Sequence, residues 1–425
     1  MKISDLHSLF TESKGITTDT RDIVPGALFF AIKGENFDGN LFAENALALG
    51  AKYAIVEDEN LPENPQFILV DDVLKTLQDL AKFHRLQFNI PVIGITGSNG
   101  KTTSKELMGT VLDQKYKVLV TKGNLNNHLG VPFTLLKLTA AHEIAIIEMG
   151  ANKPGDIKEL VEIACPNYGI ITNIGKAHIE GFGSLENVVK TKMEMYDYIQ
   201  ANNGFIFYHA ENEILKNALE PHTKTASYGA KSGDVVGALL KVSPFVHFKY
   251  QTGNYQSPAI NTHLVGDYNF INFLLGVVVG THFKVPFEAI NLGLSNYKPS
   301  NNRSQITQTE KNTLVVDCYN ANPLSMEVAI KSFNKIESDK KLLILGDMLE
   351  LGPIQEAEHK AIILLVTALD LNAIYVGSIF KRLLPNAYQT VEEVIQGTDF
   401  SSYKDYTILL KGSRGIKLEG LIAQF

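Results

Sequence analysis

Cysteine is scarce: among 425 residues only Cys165 and Cys318 occur, far apart and without C-x-x-C spacing. A disulfide framework is thereby excluded, and both thiols read as buried packing residues. The position of Cys318 just after the apolar run Leu314 to Val316 leaves a thiol at a strand end as the lesser alternative. Long apolar runs are missing too. The opening MKISDLHSLF has none after its basic residue, and Phe273 to Gly280 is too short to span a bilayer. Membrane insertion is not expected, and the chain reads as cytoplasmic. Positive charge is also in deficit: 39 Lys and Arg against 46 Asp and Glu leave a net charge of -7. Nucleic acid and anionic membrane surfaces need a basic face, so neither is an expected partner, and any anionic ligand must be held locally. No internal repeat and no low-complexity segment appears.

What is present is ordinary in bulk. Apolar residues make up 45% and charged residues 20%, the balance of a soluble globular protein. Length divided by ~150 suggests about three domains. Strand-length apolar runs alternate with amphipathic stretches throughout, which favours α/β domains over sandwiches or bundles. The first part carries strand-like runs at Ala27 to Ile32 and Tyr53 to Val56, then a helical pattern from Asp72 to Leu86 that Pro91 closes off. The second opens on Pro91 to Ile95 and continues with runs at Val118 to Thr121, Ile144 to Ile147 and Gly169 to Thr172. Its region Val235 to Thr262 alternates as an antiparallel edge would. After a turn-rich stretch from Tyr297 to Asn302, runs at Leu314 to Asp317, Leu342 to Leu345, Ala373 to Val376 and Thr407 to Leu410 suggest a small doubly wound domain. The expected domains are 1–88, 89–299 and 300–425.

The strongest local signal is Thr96-Gly97-Ser98-Asn99-Gly100-Lys101-Thr102-Thr103, lying between a buried-strand pattern and a helix. Glycines let backbone N–H groups converge on phosphate, Lys101 can reach the β/γ-phosphates, and the Thr102 hydroxyl can ligate magnesium. The spacing departs from G-x-x-x-x-G-K-[ST], because Ile95 stands where the first glycine should be. Glu148 follows the apolar run Ile144 to Ile147, beyond the carboxyl end of a strand, where α/β sheets place ligand-binding side chains. It is a second candidate metal ligand, with a plain surface carboxylate as the alternative. His178 lies past the next strand and could ligate metal, touch phosphate or be a packed loop residue.

Together these segments resemble the Mur ligase family, the ATP-dependent amide-forming enzymes of peptidoglycan precursor synthesis. The likeness runs through Thr18 to Arg21, Phe37 to Gly39, Thr96 to Thr103, Gly123 to Pro132, Glu148 to Asn152, Thr172 to Gly183, Asp317 to Pro323, Leu345 to Gly352 and Lys411 to Arg414. Within the family, Gly123 to Pro132, Tyr319 to Pro323 and Lys411 to Arg414 look like the members that add D-alanyl-D-alanine to UDP-N-acetylmuramoyl-tripeptide. The resemblance implies three domains: a small α/β domain for the uridine diphosphate end of the substrate, a central P-loop ATPase domain with a parallel sheet, and a Rossmann-like C-terminal domain. It implies that Gly97, Asn99, Gly100, Lys101, Thr102 and Thr103 hold ATP phosphates and Mg2+, with Glu148 and His178 as metal ligands. Lys192, which its own surroundings do not single out, matches the family's carbamylated lysine. Asn269 and Asn272 match the adenine side, while Arg303 and Asp317 match positions reaching phosphate and ribose. Thr20 and Arg21 match the nucleotide-sugar site, and Asn126 and Asn127 the peptide or reacting centre. Departures are Asn40 and Tyr268 where histidine is usual, Val316 where a second acid is usual, and Asn302 before Arg303 where glycine is frequent. The alternatives are a sibling ligase adding a single amino acid and a non-catalytic nucleotide-binding paralogue. A monomer is expected.

Overall fold

The computed structural model describes residues 1–299 and 302–425. The turn-rich stretch Tyr297 to Asn302 includes Ser300 and Asn301, which lie outside the described residues. The chain forms two compact units. One comprises residues 1–94, 116–151 and 155–168, the other 95–115, 152–154 and 169–425.

In the first unit, strands Ile16–Thr17, Leu28–Phe30, Tyr53–Val56 and Phe67–Leu69 form a four-stranded sheet in that order, every pair parallel. Phe29, Ala31, Ala54 and Val56 pack with Ala43, Ala46 and Ala51 into its core. The helix Val73–Leu86 follows, and Asp72 accepts the Lys75 N–H at its start, satisfying one of the otherwise orphaned donors of the first turn. Further on, Val118–Val120 pairs in parallel with Ile144–Glu148, and the latter is buried throughout. Burial of Leu, Ile and Val side chains contributes about 1.5–3 kcal/mol each, so a run like Ile144 to Ile147 holds its register firmly. Cys165 corrects the expectation of a buried thiol: it closes the helix Asp156–Ala164 in a left-handed conformation and is only half-buried.

Strand Val92–Thr96 carries the chain from the first unit into the second. In the second unit, neighbouring strands lie in the order Tyr255–Gln256, His247–Thr252, Val235–Lys241, Lys224–Gly229, Phe205–His209, Tyr168–Ile171. Val235–Lys241 is parallel to Lys224–Gly229 and antiparallel to His247–Thr252, so the expected antiparallel edge begins at one mixed strand. A separate sheet of the same unit has the order Gln305–Gln308, Thr313–Asp317, Thr407–Lys411, Lys341–Gly346, Ala373–Val376. All its neighbours are parallel except the first pair. Successive side chains alternate across this sheet. Val315, Leu343, Leu345 and Leu409 meet Met326, Ile330, Phe333 and Phe380 on one face. Leu314, Val316, Leu342, Ile344 and Leu410 meet Val394, Leu418 and Leu421 on the other. A sheet apolar on both faces requires helices on both, as a doubly wound layer provides. Cys318 belongs to the second face, and burial pushes its thiol up to about 12, which removes it as a nucleophile.

Asp347 follows the strand Lys341–Gly346 and is fully buried, its carboxylate accepting the N–H groups of Ile379 (2.8 Å) and Phe380 (3.0 Å). Replacing it leaves both donors buried and unpaired at a helix start. Asp347→Ala is expected to lower unfolding free energy by about 2–4 kcal/mol in urea titration. An unchanged midpoint would contradict this.

Candidate active site

The glycine-rich loop belongs to the second unit, and its shape is imposed from the neighbouring strand end. Thr172 donates its backbone N–H to the Thr96 carbonyl at 3.0 Å and its hydroxyl to the Asn99 carbonyl at 2.6 Å. Asn173 grips Asn99 twice: its Oδ1 accepts the Asn99 N–H and its Nδ2 donates to the Asn99 carbonyl, both at 3.0 Å. The Asn173 carbonyl also accepts the Ser98 N–H at 2.9 Å. Gly97, at φ +139°, leaves no room for a side chain, since an added Cβ would fall 2.0 Å from Thr172 Oγ1. Gly100 takes φ +79° and starts the helix Lys101–Leu112, whose first-turn N–H groups face the loop. Lys101 Nζ folds back to the Gly97 carbonyl at 2.6 Å and the Ser98 carbonyl at 3.3 Å. Thr102 and Thr103 are buried.

Behind the loop, Asn272 Oδ1 faces Gly100 and accepts the Ser104 hydroxyl at 3.1 Å. Asn272 Nδ2 donates to Asn269 Oδ1 at 2.9 Å, and Asn269 Nδ2 to the Val265 carbonyl at 2.7 Å. The two asparagines thus brace the start of the loop helix. His178, left-handed at φ 53°, presents Nδ1 to the Glu350 carboxylate, and that contact holds the Glu350 carboxyl below the usual range. Lys192 is buried in the helix Leu185–Ala201, with Nζ 5.6 Å from the centre of the Phe182 ring. Asp317 accepts Lys411 Nζ at 2.7 Å and the Ser304 N–H at 3.2 Å. The Arg303 guanidinium lies 3.8 Å over the Tyr319 ring, and Arg414 is 5.4 Å from the same ring. Tyr268 and Ser304 share a hydroxyl–hydroxyl bond of 2.8 Å, and burial beside the Asp317 charge pushes the Tyr268 phenol up.

Within the first unit, Glu148 is buried at its strand end, its N–H bonded to Thr121 Oγ1 and its Oε1 accepting Asn126 Nδ2 at 2.9 Å. Asn126 therefore orients a carboxylate. Asn127 has a local role, accepting the Gly130 N–H at 2.8 Å at the start of the helix Gly130–Leu135. Thr20 opens a single turn capped by Asp19, and Arg21 forms a two-point ion pair with Asp19 while its side chain remains 86% exposed. That pairing pulls the Asp19 carboxyl down to about 2. The clamp residues Thr172 and Asn173, the Asp317 partner Lys411 and the His178 partner Glu350 were not assigned these contacts from sequence. The sequence signal for them is their place in the resemblance segments Thr172 to Gly183, Leu345 to Gly352 and Lys411 to Arg414, which names no partner for any of them.

These features are those of an α/β protein with a glycine-rich loop at a strand-to-helix turn, an arrangement that suits a nucleotide's phosphates. Three profiles match the chain: the Mur ligase family catalytic domain over residues 12–85, the Mur ligase middle domain over 95–280, and the Mur ligase glutamate ligase domain over 302–414. The UDP-N-acetylmuramoyl-tripeptide--D-alanyl-D-alanine ligase of Bacillus subtilis is 34% identical, covering 96% of this chain and 92% of that protein. Its counterpart in Escherichia coli is 36% identical over 81% of this chain and 76% of that protein. Among solved structures, MurF from Acinetobacter baumannii matches with TM-score 0.87 at 30% identity, covering 99% and 98% of the two chains. MurF ligase from Thermotoga maritima in complex with ADP matches with TM-score 0.88 at 25% identity, covering 100% and 98%. The chain belongs to the Mur ligase family, ATP-dependent enzymes that form peptide bonds, and has the family's three α/β domains.

Gly97→Ala is expected to weaken ADP binding at least about tenfold in calorimetry, because the new methyl displaces the Thr172 hydroxyl from the loop. Gly253→Ala, in an open hairpin turn, provides the comparison and leaves binding unchanged. Equal effects of the two would contradict the steric argument.

Proposed function

We propose that this chain joins D-alanyl-D-alanine to UDP-N-acetylmuramoyl-tripeptide using ATP, through an acyl-phosphate intermediate. The observation that carries the reading is the clamped phosphate loop in a chain that matches ligases of that name over almost its whole length. The proposed domain limits are 1–88, 89–299 and 300–425. The proposed setting is a cytoplasmic monomer. No helix among the described residues is long and apolar enough to cross a membrane.

In the proposed reaction the tripeptide's terminal carboxylate attacks the γ-phosphorus, forming an acyl phosphate and releasing ADP. The amine of D-alanyl-D-alanine then attacks the carbonyl carbon, the acyl–oxygen bond breaks, and phosphate and a proton depart. Little covalent chemistry falls to the protein, whose part is positioning and neutralisation of charge. Gly97, Asn99 and Gly100 present the loop to the phosphates, while Lys101 leaves its own loop carbonyls to meet the β/γ-oxygens. Thr103 supports the same phosphates. Asn269 and Asn272 brace the loop helix on the adenine side, Arg303 reaches towards phosphate and Asp317 towards ribose. Thr20 and Arg21 serve the nucleotide-sugar end, and Asn126 and Asn127 serve the peptide or reacting centre.

The metal-holding residues proposed are Thr102, Glu148, His178 and Lys192. The buried hydroxyl of Thr102 and the carboxylate of Glu148 suit magnesium, which prefers hard oxygen donors. When bound, magnesium supplies charge neutralisation at the phosphate oxygens. His178 reaches such a role by releasing Glu350. Lys192 as an ammonium could only repel a cation; as a carbamate, in its buried position, it is an oxygen ligand or an anchor for one.

Purified protein given ATP, magnesium, UDP-N-acetylmuramoyl-tripeptide and D-alanyl-D-alanine is expected to release phosphate only when all are present. No release, or release sustained by a single free amino acid, would contradict the dipeptide-adding reading. Lys101→Ala is expected to lower turnover about a hundredfold or more. Lys192→Ala is expected to abolish turnover, with partial rescue by short carboxylic acids, and unchanged activity would remove the carbamate.

A further inference from the structure

Asn322 is buried at the N-cap of the helix Pro323–Asn334, and two separate tasks fall to its side chain. The first is capping: Oδ1 accepts the Ser325 N–H at 2.9 Å, while the Asn322 N–H donates to Ser325 Oγ at 3.0 Å. Serine or aspartate would cap about as well. The second task uses the group that capping leaves over. Nδ2 donates to Asn99 Oδ1 in the phosphate loop at 2.7 Å, and Asn99 Nδ2 lies 3.4 Å from Asn322 Oδ1 in return. Because the cap commits Oδ1 to an N–H donor, the amide has only one orientation that satisfies both partners.

Asn99 is the right residue to hold. Its N–H and carbonyl are already gripped by Asn173 and Thr172, so its side chain is the loop's remaining handle. The same helix start rests on the loop's flank a second time. Leu324 approaches Gly175 so closely that a Cβ there would lie 3.0 Å from Leu324 Cδ2, and Gly175 is bonded through both N–H and carbonyl to Ser98 Oγ. Ser98 and Asn99 are thus both supported, one through an apolar contact and one through an amide pair.

We infer that Asn322 is a positioning residue for the nucleotide: its amide clasps Asn99 and holds the phosphate loop in the shape that receives the triphosphate. The inference rests on the ligase reading above, and it deepens that reading by naming a residue of the third domain that acts through the loop without touching substrate. A helix cap alone would not distinguish asparagine from serine; a clasp does.

The test is a double-mutant cycle read by calorimetric binding of ADP with magnesium and by KM for ATP against kcat. Asn322→Ser keeps the cap and loses the reach to Asn99. It is expected to weaken ADP binding about three- to tenfold and to raise KM for ATP in step, with the melting temperature unchanged. Asn99→Ala is expected to produce a similar loss, and adding Asn322→Ser to it no further loss. Asn322→Asp restores most of the affinity, because a carboxylate caps the helix and accepts from a turned Asn99 amide. Wild-type affinity in Asn322→Ser, or losses that multiply in the double variant, would overturn the inference. A wild-type protein that binds no ADP would instead overturn the ligase reading.

Discussion

Everything that the second unit offers to a nucleotide depends on one backbone segment, Gly97 to Gly100, being held open by the end of a neighbouring strand. A run of glycines and polar residues has no intrinsic reason to stay in one shape, because glycine loses much conformational entropy on ordering. Thr172 and Asn173 supply that reason. Hydrogen bonds between these two residues and Thr96, Ser98 and Asn99 replace the solvent that the loop would otherwise bind. The close approach of Thr172 to Gly97 then makes the absence of a side chain a requirement. This geometry suits an anion, since preorganised N–H groups would need no rearrangement to receive a phosphate.

Around this segment the polar residues stand in pairs. Asn269 and Asn272 brace the loop helix, Asn99 meets Asn322, and Asp317 is neutralised by Lys411. Each pairing satisfies groups whose burial would otherwise be unfavourable, and each fixes a side chain near where a nucleotide's base, ribose or phosphates would lie in the proposed complex. In the first unit the same arrangement appears at Glu148, which Asn126 holds in place. The chain's net negative charge is no obstacle to binding a polyphosphate, because attraction is delivered by local N–H groups and a few cations.

How much of this was legible beforehand follows from the kind of signal each element leaves. Strands such as Ile144–Glu148 and Lys341–Gly346 are buried on both faces and read as unbroken apolar runs. Lys224–Gly229 and Gln305–Gln308 escaped notice, because polar residues interrupt the pattern and the last is a polar edge strand. In the proposed site, Gly97, Gly100, Lys101 and Thr102 could be named from sequence because backbone freedom, charge and a hydroxyl must be adjacent in sequence to act together. The partners that shape them were not. Asn173, Asn322 and Lys411 are distant in sequence from what they hold, and only folding brings them into contact. Asn127 also serves its own helix start, as asparagine often does for backbone reasons.

The most direct test of the loop's role is a crystal structure with a non-hydrolysable ATP analogue and magnesium. The predicted result is a triphosphate lying on the N–H groups of Gly97 to Thr103, with Lys101 Nζ moved from the Gly97 carbonyl to phosphate oxygen. A nucleotide bound elsewhere, with Lys101 still turned onto its own loop, would contradict the central claim.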